Sequence, residues 1–314
     1  MMMEADRSKA QYEGSAGSIC IDFEPTAHQY GIGPDFESLD LVPSVSDITE
    51  FIPKWLTAWG QGIGVKGVLE ILRQSCFDEV GGVSRVDLSR LPVDDPKAVI
   101  QTMKKMGLDH DAVRQSAADR GTMVHSAFRG WIVNGIMPNP DDYSTGEAKG
   151  YIRSLQMFCE AMEGKIKPIV CEEPLCSPTL GLAGTPDLFA EVDGAKVQTG
   201  GNASKRPNFG TADGLCLIDL KTSAQVYMSH AWQLSFYHRF LEECGFPPPT
   251  ERVIVLIKAN GEGFNWKPQQ DRLGALRSLV DVFNAEKRPE GWKHWSAPEN
   301  HLEHLAKWDR EVTA

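Results

Sequence analysis

Two short segments place charged side chains where they would act on a phosphate. In the stretch LCLIDLKTS, Asp219 and Lys221 stand two positions apart. Side chains alternate along a strand, so these two share a face while Leu220 turns into the core. In GTPDLFAEV, Asp187 lies in a second strand-forming stretch. If the two strands are hairpin neighbours, Asp187 sits beside Asp219. Adjacent carboxylates repel unless a cation lies between them. That cation is either the Lys221 ammonium or a divalent metal, which leaves Lys221 to act on water or phosphate. An Asp-x-Lys on a strand is otherwise a surface ion pair. Here Leu215, Leu217, Ile218 and Leu220 surround Asp219, so the pair emerges from a core strand, where buried charge needs a partner or a metal.

The elements that must carry these groups follow from periodicity. Asp109 to Gly135 predicts a helix, with Ala117, Gly121, Val124, Phe128 and Ile132 as its buried stripe and His125 beside it. Ser44 or Ser46 caps an earlier predicted helix running to Trp59, followed by another over about 65–76. Tyr151 to Met162 predicts a further amphipathic helix. The period then changes: 167–177, 182–192 and 214–222 read as three strands, with a mobile, Gly-, Asn- and Ser-rich hairpin tip over 193–213. Ala224 to Cys244 predicts a helix that carries Gln233 and Tyr237 four apart on one face. Strands over 252–258 and 264–267 and a helix over 269–285 complete an α/β domain with a central mixed sheet flanked by helices, elaborated by helices at its N-terminal side.

Composition bounds the rest. The chain has 314 residues, 41% hydrophobic and 24% charged, enough for one large core or two small ones. The densest apolar run, Val253 to Ile257, is far too short for a membrane span. The N-terminus lacks the apolar centre of a secretory signal, and a cytoplasmic protein is expected. Net charge is −11, but the first 50 residues hold ten acidic and two basic side chains, leaving −3 for the remaining 264. A nearly neutral body does not argue against nucleic acid in a particular groove. Residues 1–40 read as an acidic arm, 41–285 as the main domain and 286–314 as a tail. Seven cysteines with no CxxC spacing predict reduced thiols rather than a zinc or iron–sulfur site.

The order of motifs resembles the PD-(D/E)XK nuclease superfamily in its RecB-like exonuclease branch, including phage and mitochondrial genome-maintenance members. Pro186-Asp187 matches the PD, and Asp219-Leu220-Lys221 the (D/E)XK. Upstream, Arg120-Gly121-Thr122-Met123-Val124-His125 is similar to the helical G-T-x-x-H element, and Gln233 to Tyr237 is similar to the downstream Q-x-x-x-Y. The segment HQYGIG…LVPSVSDITEF, followed by Trp55 and Trp59, is similar to the branch's lead-in. PD and DxK alone are short; four pieces in order on fitting elements, over roughly residues 28–285, are specific.

The resemblance implies a restriction-endonuclease-like core and a divalent metal, Mg²⁺ or Mn²⁺, held by His125, Asp187, Asp219 and the Leu220 carbonyl. A mixed nitrogen and oxygen donor set of this kind suits such ions. Lys221 orients or deprotonates water, a role for which Lys is apt because its pKa falls readily beside a metal. Gln233 and Tyr237 hold Lys221 or a phosphate, and Glu172 is the strand carboxylate that supports the first ion from outside its direct ligands or helps hold a second ion. Arg120 and Arg129 flank His125 and reach for phosphate; Lys205 and Arg206 on the hairpin tip touch the DNA backbone. The expected activity is metal-dependent exonuclease action on a DNA end or single strand, in phage recombination, replication or repair, with a possible protein partner. The alternatives are a catalytically silent scaffold, a restriction-type endonuclease, or a hydrolase of small phosphoesters.

Overall fold

A computed structural model describes residues 8–14, 17–25, 27, 29–51, 77–80, 83–86, 96–106, 108–202 and 205–286. These fall into two compact units, one drawn from Met1–Ile52 and Val124–Ala314, the other from Pro53–Met123. The single domain expected over 41–285 is therefore divided. The second unit contains a two-stranded antiparallel pair, β5 (Phe77–Val80) and β6 (Val83–Val86), and a helix α2 (Pro96–Lys105) that the sequence reading left unassigned. The long helix α3 (His110–Asn134) begins in this unit, its first turn capped by Asp109, whose Oδ1 accepts the Ala112 N–H at 2.8 Å. Gly135, at φ 67°, closes α3 in a left-handed turn that returns N–H groups to the carbonyls of Trp131 and Gly130.

The first unit is a mixed α/β structure. Its central sheet joins β7 (Ile166–Cys171), β10 (Leu188–Asn202), β11 (Lys205–Lys221), β12 (Glu251–Ile257) and β13 (Phe264–Pro268) in the order β13-β12-β11-β10-β7. Only β11 and β12 run parallel, because α5 (Met228–Glu243) intervenes between them. The β12 sequence VIVLI is buried throughout, as an interior strand covered on both faces requires. Phe189, Leu217 and Ile254 pack with Leu234, Phe236 and Phe240 of α5 in one core cluster. This cluster also takes in Val45 and Ile48 of α1 (Val45–Phe51) and Val280 of α6 (Leu276–Glu286). The helix α4 (Gly146–Met162) packs against β10, β12 and β13, its Phe158 meeting Phe264 edge-on at 5.1 Å.

Residues 8–42 are not an extended acidic arm. They form a four-stranded antiparallel sheet of β1 (Ser8–Gly14), β2 (Gly17–Glu24), β3 (Gln29–Gly33) and β4 (Asp40–Val42). Ile19, Ile21, Tyr30, Ile32 and Val42 are buried in it together with Cys176 and Ala183, so the apolar residues between the acidic ones make a core of their own. Ser44 then caps α1 in a reciprocal arrangement. Its Oγ accepts the Asp47 N–H at 3.2 Å, while Asp47 Oδ2 accepts the Ser44 N–H at 2.9 Å. The rest of that predicted helix, with Trp55 and Trp59, lies outside the described residues, as do Cys76 and residues 287–314.

The hairpin tip also differs from its expectation. The strands β10 and β11 continue through it, paired from Ala195↔Ala212 to Asn202↔Lys205 with shifts of register. Ala195, Val197 and Ala212 are buried, and Lys267 Nζ donates to the Thr199 carbonyl at 2.9 Å. Glycines and polar residues disguise strands whose described residues include the buried Ala195, Val197, Gln198 and Ala212.

The β12–β13 turn is held by α4. Ser154 Oγ, fully buried, donates to the Lys258 carbonyl at 2.7 Å and accepts the Gly263 N–H at 3.2 Å. One turn earlier, a Cβ on Gly150 would collide with the Ala259 carbonyl oxygen. Gly150→Ala is therefore expected to destabilise the fold by about 2 kcal/mol through backbone displacement, read from urea unfolding.

Candidate active site

Asp187 lies at the bend immediately before β10 rather than on the strand itself. The pairing Leu188↔Ile218, continued by one step, sets it opposite Asp219 near the end of β11. Its Oδ2 accepts the Leu220 N–H at 2.6 Å, tying the bend to β11. Its other oxygen, Oδ1, lies 3.2 Å from His125 Nδ1 on α3. Asp219 is 1% exposed, and its Oδ2 lies 2.7 Å from Lys221 Nζ. The other oxygen of Asp219, Oδ1, is buried and has no hydrogen bond among the described residues. His125, Asp187, Asp219 and Lys221 thus converge, with Leu220 between the last two supplying a backbone tether.

Electrostatics follow from that crowding. Burial pushes the Asp219 carboxyl up to about 6; Lys221 opposes the rise and Asp187 adds to it. Burial works in the same direction on Asp187, but His125, Lys221 and the Leu220 N–H outweigh it and hold that carboxyl below its ordinary value. The Asp187 carboxylate holds the His125 imidazole above its ordinary value, against the pull of burial. Burial favours neutral Lys221, yet Asp219 and Asp187 keep its pKa above the ordinary one. The expectation of a Lys221 whose pKa falls is therefore reversed in the protein alone: two carboxylates make it a firm cation.

Around this group lies a cavity of about 590 Å³. His125, Asp187 and Lys221 line it, as do Arg129, Glu172, Gln233 and Tyr237. Glu172 follows β7, and its N–H donates to the Asp187 carbonyl at 3.2 Å. It adopts φ 48°, making it the one non-glycine residue with positive φ among those described. Arg129 Nε stands 3.7 Å from Glu172 Oε2 and remains largely exposed. Burial, then the Asp187 charge, raise the Glu172 carboxyl. Gln233 Nε2 donates to Tyr237 Oη at 3.0 Å, so this pair is engaged with itself rather than with Lys221. Tyr237 is also a core residue, and a Cβ on Gly184 would come within 2.8 Å of its ring.

The other expected phosphate contacts are Arg120, Lys205 and Arg206. Arg120 belongs to the second unit, where its Nη1 donates to Ser116 Oγ at 3.4 Å. The side chains of Lys205 and Arg206 lie outside the described residues. Sequence reasoning missed Phe23, Pro25, Tyr30, Ser44 and Thr185, all of which line the cavity. The lead-in segment around Tyr30 and Ser44 was a signal for them, but without coordinates it pointed to no particular wall.

Among the described residues, no group of three His, Cys, Asp or Glu stands preassembled around a common metal position. Instead, His125 and Asp187 are paired with each other, and Asp219 with Lys221. The donor chemistry nevertheless fits a hard divalent ion: one imidazole nitrogen, two carboxylates and a buried carboxylate oxygen left without a hydrogen bond. No family model matches the chain, and no curated protein matches it. Among the described residues no helix is long and apolar enough to cross a membrane.

Asp219 provides a test of this charge arrangement. Its folded-state pKa lies above the ordinary 3.8, so the folded chain keeps the proton longer than the unfolded one. Its contribution to stability therefore falls as pH rises from 3.8 through about 6 and is level above that. Carboxyl ¹³C NMR on the metal-free protein is expected to show Asp219 titrating at about 6. In Lys221→Ala, which removes the opposing cation, the midpoint moves higher. Asp219→Asn is expected to flatten the corresponding slope of urea stability against pH.

Proposed function

We propose that the chain is a divalent-metal-dependent deoxyribonuclease of the PD-(D/E)XK superfamily, akin to its RecB-like exonuclease branch. It hydrolyses phosphodiester bonds from an end or on single strands, in recombination, replication or repair. The supporting observation is that His125, Asp187 and Lys221 border one cavity together with Gln233 and Tyr237, while the buried Asp219 is paired with Lys221. These are the residues on which the motif resemblance rests.

His125, Asp187, Asp219 and the Leu220 carbonyl would hold Mg²⁺ or Mn²⁺. When bound, such an ion supplies Lewis-acid polarisation of a phosphoryl oxygen and makes water a stronger acid. The chain's own groups do the rest. The Leu220 N–H holds the Asp187 carboxylate in one orientation, so a donor oxygen faces His125 at no further cost in side-chain freedom. Lys221, kept protonated by its two carboxylates, orients the attacking water and offsets charge that grows on the phosphate oxygens. Arg129, exposed and loosely paired with Glu172, is placed to exchange that carboxylate for a substrate phosphate. Water attacks phosphorus in line and gives up its proton to solvent; the new P–O bond forms as the P–O bond to the leaving nucleoside oxygen breaks, and that oxygen takes up a proton from solvent. No covalent enzyme intermediate is needed.

End-labelled single- and double-stranded oligonucleotides with Mg²⁺ or Mn²⁺ test this reading. Wild type is expected to shorten them, and Lys221→Ala to slow cleavage by about 10³-fold. Asp187→Asn and Asp219→Asn are expected to lose Mn²⁺ binding in calorimetry. Undiminished cleavage by Lys221→Ala would remove the mechanism.

A further inference from the structure

The catalytic cavity is lined by two kinds of side chain. His125, Arg129 and Lys221 give it an ionic part; Phe23, Pro25 and Tyr30 give it an apolar one. The apolar part comes from the N-terminal sheet and the residue that follows its β2, where the resemblance names no metal-holding or catalytic residue. We propose that it receives the nucleoside of the nucleotide whose phosphate is cleaved, with Phe23 as the principal contact. This deepens the nuclease reading and rests on it.

Three observations carry the inference. The first is continuity: the same cavity holds both parts, and its volume of about 590 Å³ lies within the range of small-molecule sites, roughly 300–1,000 Å³. A nucleotide has the matching division, an anionic phosphate joined to a flat, largely apolar base. The second is rigidity. The Phe23 ring is backed by Tyr30, stacked at 4.5 Å between centroids with 23° between the planes. Tyr30 is 2% exposed and sits in the β-sheet core, so this backing is fixed. The third is linkage. Tyr30 Oη shares a hydrogen bond of 2.9 Å with Thr185 Oγ1, two residues before Asp187. The distance between the apolar part and the carboxylates is thereby set by a chain of packed groups, and little freedom is lost when a nucleotide bridges them.

Two consequences follow for substrate class. A base lodged beside Phe23 has left the stack of its neighbours, so single strands and frayed ends are preferred over intact duplex. Aromatic contact accepts every base, so the preference carries little sequence selectivity.

The test compares two ligands that share the phosphate and differ in the base: thymidine 5′-monophosphate and 2-deoxyribose 5-phosphate. Binding of each to the full chain is measured by calorimetry with Mn²⁺ present. Wild type is expected to bind the nucleotide about tenfold more tightly than the sugar phosphate. Phe23→Ala is expected to bring the two affinities within about twofold while leaving that for the sugar phosphate unchanged. Should Phe23→Ala fail to fold, Phe23→Leu keeps an apolar side chain and is expected to reduce the ratio about threefold. A wild type indifferent to the base, or a folded Phe23 variant with an unchanged ratio, overturns the proposal. Oligonucleotides are assayed in parallel. A wild type that shows the Phe23-dependent ratio yet cleaves none of them retains the nucleoside contact and loses the nuclease reading.

Discussion

Two carboxylates share the end of one hairpin, and the molecule has to make that tolerable. Asp187 and Asp219 face each other across β10 and β11, both largely withdrawn from water. In such surroundings their repulsion is poorly screened. The fold answers with three devices: the Leu220 N–H on Asp187, the imidazole of His125 beside it, and the Lys221 ammonium on Asp219. Each comes from a different backbone constraint. The N–H is fixed by the strand, the imidazole by a helix, and the ammonium by the two-residue period that returns Lys221 to the face of Asp219. One carboxylate is thereby held ionised while the other keeps its proton to about pH 6.

The N-terminal sheet is part of this arrangement. Its β3 is tied to the segment before Asp187 through Tyr30 and Thr185, and Tyr12 Oη on β1 donates to the Pro174 carbonyl at 3.1 Å. Just past β4, the Pro43 carbonyl accepts the Ala183 N–H at 3.1 Å on β9 (Leu182–Gly184). At the far end of α5, Glu243 anchors the same region. It accepts from Ser177 Oγ at 2.8 Å and from the Thr179 N–H at 3.1 Å, and Arg239 balances its charge. The loop that ends in Asp187 is thus gripped from the N-terminal sheet and from α5.

The legibility of these features follows physical lines. The central sheet was readable because its strands are apolar runs bounded by glycine and proline, and because one long helix separates the parallel pair. Asp219 and Lys221 could be placed on one face because the strand period leaves no choice. The position of Asp187 just before β10 could not be read, since Pro186 ends one element without saying where the next begins. The N-terminal sheet was hidden by acidic residues on its solvent side; the informative alternation lies in Ile19, Ile21, Tyr30 and Ile32. The outer hairpin was hidden by glycines and small polar residues, although backbone pairing alone carries the strands through it. The protonation of Lys221 was beyond the sequence altogether, because it depends on both carboxylates lying within reach. The helix over 96–105 escaped because its short amphipathic pattern follows a stretch with Gly81-Gly82 and Pro92 that reads as loop.

Glu172 holds a backbone conformation that suits glycine and costs an ordinary side chain about 1 kcal/mol or more. Glu172→Gly would relieve that cost and remove a carboxylate from the cavity in the same step. Selection for thermal tolerance alone therefore works against keeping a carboxylate at this codon. A library screened only for heat resistance would be enriched at position 172 in changes that take the carboxylate out of the cavity.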